Sequence, residues 1–239
     1  MKRTHFILSI AMVLMIATSA LAYESYAPSN NSLQNLLDTA TGGAIDVVND
    51  QSGIELWTAN DGAASSYEIR DENWVGEFYI YSASNPTLMQ EITLDAAGDY
   101  ASFQIYNDGT LRVQDSTGRH DVANFGMTFG FMVTPGWTDY DVYTQQELNN
   151  PAIAHTLALT FAVPEGTETT MGGTTVTAGT GDRDDWILAF ETSSNNDFDD
   201  AIFYIKDMQP VPEPSTMLLM GVGLLGLAGY SRKRFAKKS

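Results

Sequence analysis

The sequence predicts an all-β protein, an antiparallel β-sandwich or jelly roll, flanked by an N-terminal signal peptide and a C-terminal transmembrane helix. Three observations carry this. Between residues 54 and 207 the apolar side chains come in short runs dominated by aromatic and β-branched types, the composition suited to a pleated, half-buried surface. None of those runs sustains a helical period. Gly, Pro, Asn and Asp punctuate them at short intervals, as strands joined by turns require.

Taken in order, the predicted strands are 54–58, 75–81, 101–106, 110–114, 125–133, 156–163, 186–191 and 201–206. Asn107-Asp108-Gly109 joins the third to the fourth as a hairpin, because Asp-Gly tolerates positive φ. Residues 140–150 best fit a helical turn, and the Thr/Gly-rich stretch 166–181 fits an exposed loop or long hairpin. Residues 23–53 form a polar N-terminal segment with one weakly amphipathic patch around Leu33, Leu36 and Leu37. One sandwich over 54–207 is the economical reading, and a division near residue 98 is the alternative. Residues 208–216 read as a linker.

Both ends read as addresses. Lys2 and Arg3 precede an apolar stretch at 6–16, and Ala20-Leu21-Ala22 is a small-x-small cleavage site that would leave Tyr23 as the new N-terminus. Residues 1–22 are therefore expected to be a signal peptide, handled by signal peptidase and the general secretion machinery. Residues 217–231 form a short, glycine-bearing apolar segment, and 232–239 a basic tail opened by Arg232-Lys233-Arg234. A helix closed by Arg and Lys stops in the inner membrane with its basic end cytoplasmic. Immediately before it stands Pro212-Glu213-Pro214, a stiff and helix-free segment. Gly221, Gly223 and Gly226 match a dinucleotide-binding fingerprint by letter, but without the strand, helix and distant acid that the fingerprint needs.

Pro212-Glu213-Pro214, the apolar helix and Arg232-Lys233-Arg234 together strongly resemble the PEP-CTERM sorting signal. The resemblance implies recognition by exosortase, a membrane-embedded cysteine-type transpeptidase or protease. Such tails occur on exported proteins of bacteria that usually make exopolysaccharide.

Charge narrows the function. Residues 23–211 hold five basic and 29 acidic side chains, a net charge of −24, and such a body repels phosphate backbones, so nucleic acid is excluded as a partner. The chain has no cysteine, which removes disulfides, thiolate metal sites and thiol nucleophiles. Only His120 and His155 remain after export. His120, within Arg119-His120-Asp121, reads as an exposed turn, and His155 as the start of a strand. No hydrolase signature accompanies either. Carboxylates are plentiful enough for a glycosidase, whose two carboxyls must stand ~5–10 Å apart. Trp57, Trp74, Trp137 and Trp186 are available to stack on sugars, although a sandwich more often buries its tryptophans.

The densest constellation is Asp182-Arg183-Asp184-Asp185-Trp186-Ile187-Leu188-Ala189-Phe190-Glu191, followed by Asn195-Asn196-Asp197-Phe198-Asp199-Asp200. Alternation in an extended chain puts Asn195, Asp197 and Asp199 on one side. Hard oxygen donors packed this closely repel one another unless a cation sits among them, and Ca²⁺ takes 6–8 such oxygens. The opposing reading is a solvated acidic loop in which Asn and Asp simply make turns. The spacing is not that of an EF-hand, since Asp200 occupies its glycine place.

Phe129-Gly130-Phe131, His155 before an apolar strand, Trp186-Ile187-Leu188-Ala189-Phe190-Glu191 and the Asn196–Asp200 loop resemble a domain of unknown function common in bacterial surface proteins, over residues 125–206. Three positions depart from its pattern. Ala154 and Thr192 stand where acids are usual, and Asp199 stands where Asn is usual. The resemblance favours Ca²⁺ held by Glu191, Asn196, Asp197, Asp199 and Asp200. The expected protein is a non-enzymatic component of the cell surface or exopolysaccharide matrix, bound to acidic exopolysaccharide through divalent cations. The alternatives are a secreted carbohydrate-active hydrolase and a glycan-binding adhesin.

Overall fold

Aromatic and β-branched runs pair across two facing sheets in the computed structural model, which describes residues 26–58, 63–68, 76–95, 99–136, 140–150, 157–179, 184–193 and 195–211. The expected signal peptide, with Ala20, Ala22 and Tyr23, lies outside the described residues. So do Trp74, Trp137, Ala154, His155 and the tail from Pro212 through Arg232, Lys233 and Arg234. Among the described residues no helix is long and apolar enough to cross a membrane.

The described elements begin with helix α1 (Ser32–Thr41). Strands β1 (Trp57–Thr58), β2 (Ala63–Glu68), β3 (Gly76–Ser82), β4 (Asn85–Glu91), β5 (Tyr100–Ile105), β6 (Leu111–Asp115) and β7 (Gly118–Val122) follow. Then come β8 (Thr128–Pro135), β9 (Val142–Tyr143), a 3-10 turn at Gln146–Leu148, β10 (Ala158–Val163), β11 (Glu168–Met171), β12 (Thr174–Thr177), β13 (Asp184–Phe190) and β14 (Ala201–Pro210). Every pairing is antiparallel.

One sheet runs β10-β13-β14-β2-β5-β6-β7. The other runs β4-β3-β8, with β1 and β9 sharing the far edge of β8. The far end of β14 pairs with β1 (Trp57↔Pro210), so this one long strand belongs to both sheets. The last tie is the Val211 amide donating to the Leu56 carbonyl at 3.0 Å. Strand β14 therefore runs three residues beyond the boundary read at 207. Residues 25–211 form one compact unit.

Alternation fixes two cores. Trp186, Leu188 and Phe190 of β13 and Ala201, Phe203 and Ile205 of β14 face the opposite sheet, where Phe78, Ile80, Phe129, Phe131 and Val133 meet them. Phe78 stacks on Phe203 with centroids 3.8 Å apart. The other face of the same strands carries Ile187, Ala189, Ile202 and Tyr204. Leu33 and Leu37 of α1, with Phe161, Met171 and Phe198, cover that face. A strand buried on both faces needs a continuous apolar run, which is why Trp186-Ile187-Leu188-Ala189-Phe190 shows no polar alternation.

Several sequence readings are corrected. The amphipathic patch is a full helix, with Leu33, Leu37 and Thr41 buried at i, i+4 and i+8 and with Gly42 closing it in the left-handed conformation. Residues 140–150 hold β9 and a single 3-10 turn. Arg119-His120-Asp121 is not a turn: it lies in edge strand β7, with Val113 opposite His120. The stretch 166–181 does hold a hairpin, β11–β12.

Gly130 explains the aromatic-Gly-aromatic run. Phe129 and Phe131 point into the sandwich, and Gly130, paired with Tyr81, faces outward under the tyrosine ring. A Cβ there would lie 2.3 Å from Tyr81 Oη and 2.9 Å from Thr144 Oγ1. Thr144 Oγ1 in turn accepts from the Phe131 amide and donates to the Glu55 carbonyl.

Candidate metal centre

The acidic residues sit on the loop joining β13 to β14. Alternation along β13 places Glu191, the next residue, on the face of Ile187 and Ala189, towards the second core, and its amide extends the ladder by donating to the Leu157 carbonyl at 2.9 Å. Phe190 pairs with Ala201, so the nine residues between Glu191 and Ala201 must turn back on themselves. They do so with Asn196 at φ +57° and Phe198 at φ +59°, a region bulky L-residues rarely enter. The Phe198 ring offsets that strain: it is fully buried and meets the Tyr26 ring edge-on at 5.1 Å.

These two left-handed residues break the alternation expected of an extended loop and bring Glu191, Asp197 and Asp200 together. Each offers a carboxylate oxygen within 4.8 Å of the others. Glu191 Oε1 accepts from the Ser193 amide (3.0 Å) and hydroxyl (2.8 Å), and Oε2 accepts from the Phe198 amide (3.1 Å). Asp200 Oδ2 accepts from the Thr192 amide (2.6 Å), the Thr192 hydroxyl (3.1 Å) and the Ser193 amide (2.9 Å). Asp197 Oδ2 accepts from the side-chain amides of Asn195 (2.7 Å) and Asn30 (3.3 Å). Asp197 Oδ1 is buried with no hydrogen-bond donor, in a residue only 7% exposed.

Electrostatics makes this arrangement costly by itself. Burial pushes the Glu191 carboxyl above its ordinary range, and the nearby Asp200 charge adds to the rise while hydrogen bonds oppose it. Burial likewise raises Asp197, and the adjacent Asp199 raises it further. Tyr140, whose hydroxyl donates to the Thr192 carbonyl at 3.1 Å, is raised by burial and by the Glu191 and Asp200 charges. Like charges this close and this dry want either a proton or a cation.

Of the five residues expected as ligands, Glu191, Asp197 and Asp200 converge, and Asp199 lies against Asp197. Asn196 enters through its backbone, its carbonyl accepting the Ser29 amide at 2.7 Å. Thr192 turns the missing acid into a donor that holds Asp200. Asn30, Ser193 and Tyr140 escaped the sequence reading, and Asn30, 167 positions from Asp197, leaves no local sign of its role. Trp57 and Trp186 are 0% and 2% exposed in the sandwich core, so neither is a sugar platform.

A second buried acid is structural. Asp185 accepts from the Tyr204 hydroxyl (2.7 Å), the Asp207 amide (2.9 Å) and the Gly179 amide (3.1 Å). It pins the bulge where Asp207 takes φ +60° and β14 shifts register against β13.

The fold and site together define an acidic, antiparallel β-sandwich with a buried cluster of oxygen donors able to hold a metal ion. Residues 210–234 match the PEP-CTERM protein-sorting motif, so the chain carries an exosortase sorting signal, as its tail led us to expect. That signal marks an exported, membrane-anchored precursor whose product is displayed at the cell surface, with exosortase as its processing partner. The motif begins at the last residue of β14, directly where the sandwich ends. Comparison with curated proteins returned no match.

Proposed function

We propose that the protein is a non-enzymatic component of the cell surface or exopolysaccharide matrix whose sandwich is stabilised by one Ca²⁺ ion held by Glu191, Asp197 and Asp200. The observation that carries the ion is Asp197 Oδ1, a buried carboxylate oxygen with no donor beside two further carboxylates. The three carboxylate oxygens lie within 4.8 Å of one another, inside the span of about 5.2 Å that oxygen ligands at 2.3–2.6 Å from one Ca²⁺ can reach. With carboxylates and no thiolate or imidazole in the cluster, the donor set suits a hard cation.

This cluster is a poor fit to a glycosidase pair. The two carboxyls of such a pair must flank a sugar ring at ~5 Å or more, whereas the oxygens here lie within 4.8 Å of one another, Glu191 and Asp197 are buried, and all three acids are already engaged by backbone or side-chain amides. Matrix association rests on charge: a body at −24 meets acidic polysaccharide favourably only through bridging divalent cations.

The test is the thermal midpoint of the exported protein in EDTA and then with rising Ca²⁺. At a hundredfold excess over Kd a ligand specific for the folded state adds about 2.7 kcal/mol, or roughly 5–11 °C for a domain of this size. A midpoint indifferent to Ca²⁺ up to several millimolar overturns the site.

A further inference from the structure

We infer that the N-terminal strap, residues 26–31, is an integral part of the metal site and that the cation latches it to the sandwich. This rests on the calcium reading above and adds residues and a consequence to it. Four contacts join the strap to the acidic loop. The Ser29 amide donates to the Asn196 carbonyl at 2.7 Å, and the Ser29 hydroxyl to the Asn195 carbonyl at 2.6 Å. Asn30 Nδ2 donates to Asp197 Oδ2 at 3.3 Å. The Tyr26 ring packs edge-on against Phe198 at 5.1 Å.

Each contact falls on a residue whose backbone or carboxylate shapes the site. Asn196 and Phe198 are the two left-handed residues that throw the acids together, and Tyr26 and Ser29 hold them in place. Asn30 binds one oxygen of Asp197, which fixes the carboxylate and leaves Oδ1 as the oxygen without a donor. Asn30 is also tied to the fold behind it, because its Oδ1 accepts from the Ser32 amide and hydroxyl, both at 2.7 Å, at the start of α1. Gln51 anchors the strap's beginning, accepting from the Tyr26 amide at 2.8 Å and donating to its carbonyl.

Strap and cation therefore bias the same loop, and linkage makes the effect reciprocal: what loosens the strap weakens the ion by the same factor by which the ion tightens the strap. Asn30 is a positioning residue here, acting on the ion through Asp197. Tyr26 stands three residues beyond the expected new N-terminus at Tyr23, so the latch would fasten the mature N-terminus once the chain reaches a calcium-rich exterior.

The experiment is calorimetric Ca²⁺ titration of the full exported chain in detergent, with amide hydrogen exchange at Ser29 as a second readout. Tyr26→Ala should weaken Ca²⁺ about tenfold, the upper range for an aromatic pair. Ca²⁺ should slow Ser29 exchange in the wild type, and less so in this variant. Ser29→Ala, which removes only an exposed hydroxyl, should weaken Ca²⁺ about threefold and guards against a folding defect in the first variant. Wild-type affinity in both variants overturns the latch while leaving the metal site standing. No Ca²⁺ binding by the wild type overturns the site itself, and the latch with it.

Discussion

Replacing Gly130 by alanine tests the packing logic of the sandwich. The new methyl would lie 2.3 Å from Tyr81 Oη, 2.5 Å from Tyr81 Cζ and 2.9 Å from Thr144 Oγ1, where non-bonded atoms sit comfortably at about 3.5 Å. An overlap near 1 Å must be relieved by moving a fully buried ring that is itself held edge-on to Tyr143 at 5.3 Å. The β8 backbone has little freedom, being paired with β3 on one side and β1 and β9 on the other. Overpacking of this kind costs about 1–3 kcal/mol, and the gain from removing a strand glycine returns about 0.5–1 kcal/mol. The expected net loss is about 1 kcal/mol, read as a fall of roughly 2–4 °C in the thermal midpoint. Urea unfolding of Gly130→Ala, Tyr81→Ala and the double variant would measure the coupling. If the clash is the cause, the double variant loses at least about 1 kcal/mol less than the sum of the singles. A neutral Gly130→Ala, or strict additivity, refutes the close approach as the reason for glycine.

Three further outcomes concern the site and the tail. Asp197→Asn should raise stability in EDTA by about 1–3 kcal/mol, because it removes a buried charge oxygen that lacks a donor, yet should abolish the Ca²⁺-dependent gain; thermal midpoints in the two conditions show whether the order of the two proteins reverses. Because Glu191 and Asp197 are both raised in the folded state, the metal-free fold binds their protons more tightly than the unfolded chain does. Their ionisation therefore destabilises it above those raised values, and the penalty fades as pH falls towards the ordinary 4.5 and 3.8. In EDTA the penalty these two carboxylates impose on the midpoint should shrink as pH is lowered from their raised range towards those ordinary values, while the Ca²⁺ concentration needed for half-saturation increases. Glu213→Ala should leave the precursor in the inner membrane, and fractionation of cells showing normal surface display would count against recognition at this position.

Much of the fold was legible because its central strands are written in aromatic and β-branched residues. Trp186-Ile187-Leu188-Ala189-Phe190 and Ala201-Ile202-Phe203 read as strands in any context. Strands β2 (Ala-Ala-Ser-Ser-Tyr-Glu), β4 (Asn-Pro-Thr-Leu-Met-Gln-Glu) and β7 (Gly-Arg-His-Asp-Val) did not, since pairing with stronger neighbours rather than propensity makes them extended. Pro86 is tolerated because β4 is an edge strand. Helix α1 was hidden by its polar composition, and only its role as a cover over β10, β13 and β14 gives Leu33 and Leu37 something to pack against. At the site the acids were visible but their grouping was not. Period-two alternation selects Asn195, Asp197 and Asp199, whereas positive φ at Asn196 and Phe198 selects Glu191, Asp197 and Asp200. No residue-type rule foretells a left-handed phenylalanine; it follows from the contact with Tyr26, far away in sequence.

The most direct test of the calcium centre is ion stoichiometry, measured by calorimetric titration of the exported chain beside its Asp200→Asn and Asp197→Asn variants. One Ca²⁺ per wild-type chain is expected, with Kd in the ~10⁻⁴–10⁻³ M range of extracellular modules and no binding by either variant. Failure of the wild type to bind at several millimolar, or binding that persists undiminished in Asp197→Asn, would contradict a cation at Glu191, Asp197 and Asp200.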